Sequence, residues 1–395
     1  VLRDRGQWNY WLCLALELLW AAYFGIAVTV EWYKQFGIGL TQIAALQVVM
    51  GVFTILFDIP CGWLADRIGV RLVMLMGISM QVVQSALFGL WCTHFWQFCI
   101  MLAITGVAWS FTSGTAKAMV KSTVPERVGD YPKRSVQSRA LGQLIGIAIG
   151  SILLARFDVK APFIFQPLAF VAALVIGLML KSSSTIKQRV THPMLKSVIK
   201  IGRSMFIERP DVRWVVLLSA TANASVLAMS WLVQPDLRNA GVHVNLFGIV
   251  FAVRTVATFV LAYFKDWFVR RFGDHGAQAM IIAFVVLCAL FAGLPTSWSG
   301  AIAVFVACAV VTAFSEAIMT DTVNKRMPEL EDHATTVYSI STAAQAALFV
   351  VSPLMGWVND TVSTNVAYFC VAGVTALFGG FCLQRYKHAL RGVQR

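Results

Sequence analysis

Few residues of this 395-residue chain can do chemistry, and they lie where a charge is costly. Glu17, Arg254 and Glu316 fall inside long apolar stretches, where an ionisable group marks a solute pathway, a proton relay or an ion pair. At about 1.5 Å per helical residue, Glu17 is expected about 13 Å in from Trp8 and Arg254 about 14 Å in from Asn245, at matching depth. A carboxyl there can take up and release a proton. A guanidinium there can pair with that carboxyl or hold an anionic solute. Glu316 is expected closer to the cytoplasmic side, with Lys117 and Asp321 at its mouth, where Lys117 and Lys121 can snorkel toward water. Glu31 is expected at the opposite, wetted end of the first helix. Asn223 and Gln345 add neutral hydrogen-bonding groups at middle depth, and Trp20, Tyr23, Phe24, Trp109 and Trp231 add aromatic surface. Such a mixture suits an amphipathic organic solute.

The elements that position these groups are membrane spans. Hydrophobic residues make up 58% of the chain and charged ones 13%, too little polar surface for a water-soluble protein of this length. A crossing needs about 20 apolar residues, and such stretches are expected at 8–36, 41–64, 72–91, 95–121, 137–156, 162–180, 212–235, 245–269, 277–295, 299–325, 334–358 and 362–385. Arg3 and Arg5 before an apolar run could open a secretory leader. The run from Trp11 to Val30 is too long for that and lacks a small-residue cleavage site, so it reads as the first span. The eight cysteines show no CxxC spacing and the six histidines no ligand spacing, so neither a disulfide framework nor a metal site is expected. No nucleotide-binding loop is present, and no cofactor is expected.

The net charge of +13 could suggest nucleic acid, but its distribution argues otherwise. With both termini cytoplasmic, that side holds Arg3, Arg5, Arg67, Arg71, Lys121, Arg127, Lys133, Arg134, Arg139, the basic 181–213 loop, Lys265, Arg270, Arg271, Lys325, Arg326 and the C-terminal tail. The other side holds Lys34, Arg156, Lys160 and Arg238. This is the positive-inside asymmetry of a membrane protein, with lipid rather than nucleic acid as the partner of its cations.

The polar stretch after Lys181 divides the chain into halves at 1–180 and 212–395, joined by a 181–211 linker. Within it Met194, Leu195, Val198, Ile199, Gly202, Met205 and Phe206 recur at helical spacing opposite Lys196, Lys200 and Arg203, as in a helix lying on the inner leaflet. The halves echo each other. Val124-Pro125-Glu126 matches Met327-Pro328-Glu329, and the Asp266 to Gly273 stretch is a degenerate copy of the 62–71 turn. Gly142, Gly146 and Gly150 form a ridge on which another helix backbone can pack.

The most specific motif is that turn, Gly62-Trp63-Leu64-Ala65-Asp66-Arg67-Ile68-Gly69-Val70-Arg71. Its glycines permit a sharp bend and close approach, Asp66 can accept from a helix N-terminus, and Arg67 and Arg71 suit the headgroup level. With Gly62, Asp66, Arg67, Gly69 and Arg71 in matching places, it resembles the turn between helices 2 and 3 of the major facilitator superfamily, although Val70 stands where a second basic residue is usual. The preceding Phe57-Asp58-Ile59-Pro60-Cys61-Gly62 resembles the lead-in of a group of bacterial exporters, while the Gly-Pro motif common on helix 5 of the antiporters is absent. The resemblance implies an all-α fold of twelve transmembrane helices in two parallel six-helix halves, in a monomer of the bacterial inner membrane. It implies a central cavity lined by helices 1, 4, 7 and 10, and a latch at the 62–71 turn. It also implies a secondary transporter, not an enzyme, with proton-coupled export of a small organic or amphipathic molecule as the favoured activity. Uptake or facilitated diffusion of an anionic metabolite, and a non-transporting sensor, are the alternatives.

Overall fold

The computed structural model describes residues 2–112, 115–127, 130–181, 203–294, 298–326 and 352–393. Every regular element among them is helical. Nine of these helices are long and apolar enough to cross a membrane among the described residues, and Gly300–Ser315 adds a shorter apolar stretch. The chain resolves into two compact units, Val1–Trp32 with Val49–Pro193, and Tyr33–Val48 with Met194–Arg395.

The first unit contains α1 (Leu2–Ala21), most of α2 (Thr29–Lys34), α3 (Leu40–Ile68) from Val49 onward, α4 (Val70–Leu90), α5 (Phe95–Thr112), α6 (Thr115–Thr123), α7 (Tyr131–Arg156) and α8 (Ala161–Met179). α1 packs on α6, α7 and α8, and α4 packs on α5 and α8. The glycine ridge of α7 explains the closest of these seams. A Cβ at Gly142 or Gly150 would run into the carbonyl oxygen of Leu18 or Phe24, and one at Gly146 would sit 2.8 Å from the backbone of Ala22. Only hydrogen fits there, so the ridge is a packing device.

The second unit holds α9 (Pro210–Asn239), α10 (Phe247–Ala262), α11 (Lys265–Ala292, bent at Gly273), α12 (Trp298–Arg326), α13 (Ser352–Thr361) and α14 (Thr364–Val393). α9 is its hub, touching α11, α12, α13 and α14. The repeat faintly visible in the sequence is carried in the backbone. Among the described residues the left-handed glycines are Gly37, Gly69, Gly241 and Gly273, and the second pair follows the first by 204 residues at both positions (241 − 37 and 273 − 69). At each of them the chain reverses with a φ that other residues resist.

Two expectations about the first helix are corrected. It is not continuous over 8–36: it begins by Leu2, ends at Ala21 and resumes at Thr29. The buried Gln166 side chain stands in for the missing helical bonds, accepting from Phe24 N–H at 2.7 Å and donating to the Ala22 carbonyl at 3.2 Å. Glu31, expected at a wetted end, is buried instead. The turn also differs in detail. Gly69 carries a φ of 96° as a sharp bend requires, but a Cβ at Gly62 would meet nothing within 4 Å, so close approach is not its role here. Arg71 donates to the Leu178 carbonyl at 2.7 Å and so satisfies the C-terminus of α8. Most of the 181–211 linker, with its amphipathic pattern, and the Met327-Pro328-Glu329 echo lie outside the described residues.

Candidate functional site

In the first unit the chemistry gathers around Glu17. Tyr131, the first residue of α7, donates its hydroxyl to Glu17 Oε1 at 3.2 Å, and Arg139 two turns on brings Nε to 3.8 Å from Oε2. The Glu17 side chain is 14% exposed and that of Arg139 50%, so the carboxylate is sheltered while its cation reaches out. Tyr10 packs edge-on against Tyr131 with ring centroids 6.0 Å apart, and the Arg127 guanidinium lies 5.2 Å over Tyr10. Burial first, and the adjacent Glu17 charge second, push ionisation of the Tyr131 phenol well above its ordinary range, so it remains a donor. These contacts place Glu17 beside the first turns of α7.

Arg254 belongs to a different group in the second unit. Its guanidinium lies within electrostatic reach of the buried Cys308 thiol on α12 and 5.8 Å from the centroid of the Phe251 ring. Cys308 in turn sits 3.2 Å from the Ser230 hydroxyl of α9. Glu17 and Arg254 each have described partners within their own unit. Asn223 spends its amide locally, donating to the Ser219 carbonyl at 2.9 Å, while the Ser219 and Ser315 hydroxyls meet at 3.1 Å and join α9 to α12. Lys117 is exposed on α6, as a snorkelling side chain would be. Glu316 follows Ser315 on α12, but its side chain and that of Asp66 lie outside the described ones, as does the whole of Gln345. Arg67 is exposed at the last turn of α3.

Sequence reasoning missed several polar groups. Arg326 at the end of α12 binds Asp211 at the start of α9 at 2.8 Å, with Asp211 2% exposed, and also contacts the Tyr386 hydroxyl at 3.4 Å. Asp236 falls just past the span end expected at residue 235, whereas α9 continues to Asn239. Its Oδ2 is buried without a hydrogen-bond partner among the described residues. The Asp236-Leu237-Arg238-Asn239 stretch after Pro235 carries no signal for this, since proline usually reads as a helix end. At the same end of the unit, Asp360 accepts from the Thr41 N–H at 2.9 Å and from its hydroxyl at 2.8 Å. A polar cavity of about 490 Å³ opens beside it, lined among others by Lys34, Pro235, Asn239, Asn359 and Asp360.

Comparison with known proteins gives these clusters a context. The family model described as Major Facilitator Superfamily matches residues 10–353. A solved nucleoside transporter, NupG in a mutant form, superposes with a TM-score of 0.79 over 96% of this chain and 99% of that one at 13% identity. A POT family transporter in complex with a thioalcohol-conjugated peptide gives 0.74 over 96% of each chain at 14% identity. A D-xylose-proton symporter gives 0.73 over 94% of this chain and 96% of that one, again at 14% identity. At such identities these likenesses show a shared fold. In sequence, 111 residues are 26% identical to the MFS-type transporter ppzB of Metarhizium rileyi, a stretch covering 28% of this chain and only 23% of that protein.

Proposed function

The chain belongs to the Major Facilitator Superfamily, and from that premise we propose a proton-coupled exporter of a small organic or amphipathic molecule, working by alternating access. The chain is an integral membrane protein of a transporter family, not an enzyme, and its substrate is a small molecule. In the proposed arrangement both termini face the cytoplasm, halves 1–180 and 212–395 move about the 181–211 linker, and the protein acts as a monomer in a bacterial inner membrane. The asymmetry of basic residues supports that orientation.

One observation carries the coupling. Glu17 is a sheltered carboxylate whose charge is shared between a buried phenol and a half-exposed guanidinium. Adding a proton to Glu17 removes the attraction for Arg139 and releases it toward solvent, so the seam between α1 and α7 differs between proton-loaded and proton-free states. The 62–71 turn supplies the latch. Gly69 bends the chain and Arg71 ties α4 to the end of α8, while Gly62, Asp66 and Arg67 complete the family's pattern there.

The test is Glu17→Gln in sealed vesicles. The amide keeps size and hydrogen bonding but cannot titrate, so pH-driven accumulation should be lost while counterflow exchange of solute persists. Undiminished pH-driven transport would remove Glu17 from the coupling. A second reading, transport of an anionic metabolite, is favoured by Arg254. That guanidinium has a thiol and a ring as neighbours and no carboxylate among the described residues.

A further inference from the structure

Asp236 and Tyr368 are two polar residues with buried, unpartnered atoms among the described residues that the coupling around Glu17 does not use. Asp236 lies near the end of α9, directly after Pro235, with its Oδ2 buried and unpartnered among the described residues. Tyr368 on α14 is 0% exposed and its hydroxyl is equally unpartnered among them. Tyr368 lies within electrostatic reach of Asp236 and of Cys308. α12 gives way at this point: a Cβ on Gly300 would come within 3.2 Å of Asp236 Oδ2, so glycine leaves the carboxyl its space.

The surrounding charges do not satisfy it. α12 offers Cys308, which is already engaged with Ser230 and Arg254, and α11 offers Cys288 beside Cys308. α13 offers Asp360, bonded to Thr41, and α9 itself carries Arg238, which is exposed. Lys34 lines the 490 Å³ cavity. Unpaired buried polar atoms are uncommon in native structures and need a reason. A proton on the carboxyl supplies one, because it removes the isolated charge and turns the carboxyl into a donor.

We propose that Asp236, with Tyr368 beside it, is a proton-binding site of the C-terminal half, loaded from the cavity that Pro235 and Asn239 line. The site rests on the proton-coupled reading and adds a carrier to it, at the end of the second unit opposite the Gly273 bend. The step is a simple ionisation: the Asp236 O–H breaks, its proton passes to water in the cavity, and the Tyr368 hydroxyl donates to the carboxylate left behind.

Dicyclohexylcarbodiimide, which adds to protonated carboxyls in apolar surroundings, reads this directly in the purified full chain when followed by peptide mass mapping. Asp236 should be labelled, and labelling should fall by more than about tenfold between about pH 6 and about pH 9. Tyr368→Phe should move the fall to higher pH, because the carboxylate loses its donor, a change that a purely packing role for Tyr368 would not produce. Asp236→Asn should abolish that label, and the wild-type titration stands even if this variant folds poorly. Absent or pH-independent labelling would overturn the site, as would protection by sodium at constant pH, which would assign it to a metal cation. Labelling as expected in a protein whose solute flux ignores a pH gradient would overturn the coupled reading and leave the site. Missing label with intact pH-driven flux would do the reverse.

Discussion

Replacing Arg326 by methionine should destabilise the second unit more than any other single change at its Gly273 end. Asp211 is 2% exposed, its Oδ2 depends on Arg326 Nη1 at 2.8 Å, and its Oδ1 is buried with no partner among the described residues. Arg326→Met keeps the aliphatic bulk and leaves that carboxylate buried and alone, a loss of about 3–5 kcal/mol. For a chain of this size, at about 2 °C per kcal/mol, melting in detergent should fall on the order of 6–10 °C. The control is the double variant Asp211→Leu with Arg326→Met. Removing both charges should recover most of the loss, since apolar replacements of a buried pair are often neutral or stabilising. A deficit of about 1 kcal/mol should remain, because Asp211 also sits in the first turn of α9, where a carboxylate favours the helix dipole. An unchanged melting temperature in Arg326→Met, or a double variant no better than the single one, would refute this.

Other changes separate packing from function. Gly146→Val should cost about 1–3 kcal/mol by forcing α7 off α1, whereas Gly62→Ala, with open space around it, should gain about 1 kcal/mol of helix propensity; melting of the two variants in one detergent checks both. Gln166→Leu should strip the break after α1 of its side-chain bonds at Ala22 and Phe24, a loss of about 1–3 kcal/mol, and should speed amide exchange at Phe24. A reporter fused after Lys181 should read as cytoplasmic and one inserted at Arg238 as outside, with labelling of the reverse sense ruling out the proposed orientation.

Much of the fold was legible because membrane spans are written in hydropathy, which depends little on neighbours. The 62–71 turn was legible for a different reason: glycine and charge at fixed spacing between two apolar runs have few other uses. The sequence also held a weak echo of that turn at Gly273, and the shared left-handed φ of Gly69 and Gly273 is the backbone fact beneath it. What escaped depended on partners distant in sequence. Nothing near Glu17 announces that Tyr131 and Arg139 will be its neighbours, because α7 reaches α1 through a glycine ridge whose target strip, Leu18 to Phe24, looks like any apolar helix. The helix that carries Glu17 starts at Leu2 rather than Trp8, so Glu17 lies about 22 Å along it rather than about 13 Å. Asp236 escaped because Pro235 looks like a stop in sequence, yet it lies within a helix that continues four residues beyond it.

The central claim is that solute crosses against a proton moving the other way. Purified protein in sealed vesicles carrying an internal pH indicator tests it most directly, with candidate amphipathic solutes offered one at a time under an imposed pH gradient. At least one solute should drive proton movement opposite to its own flux, a protonophore should abolish its accumulation, and Glu17→Gln should uncouple the two. Solute flux of equal size with and without the gradient, and with no proton signal, would contradict it.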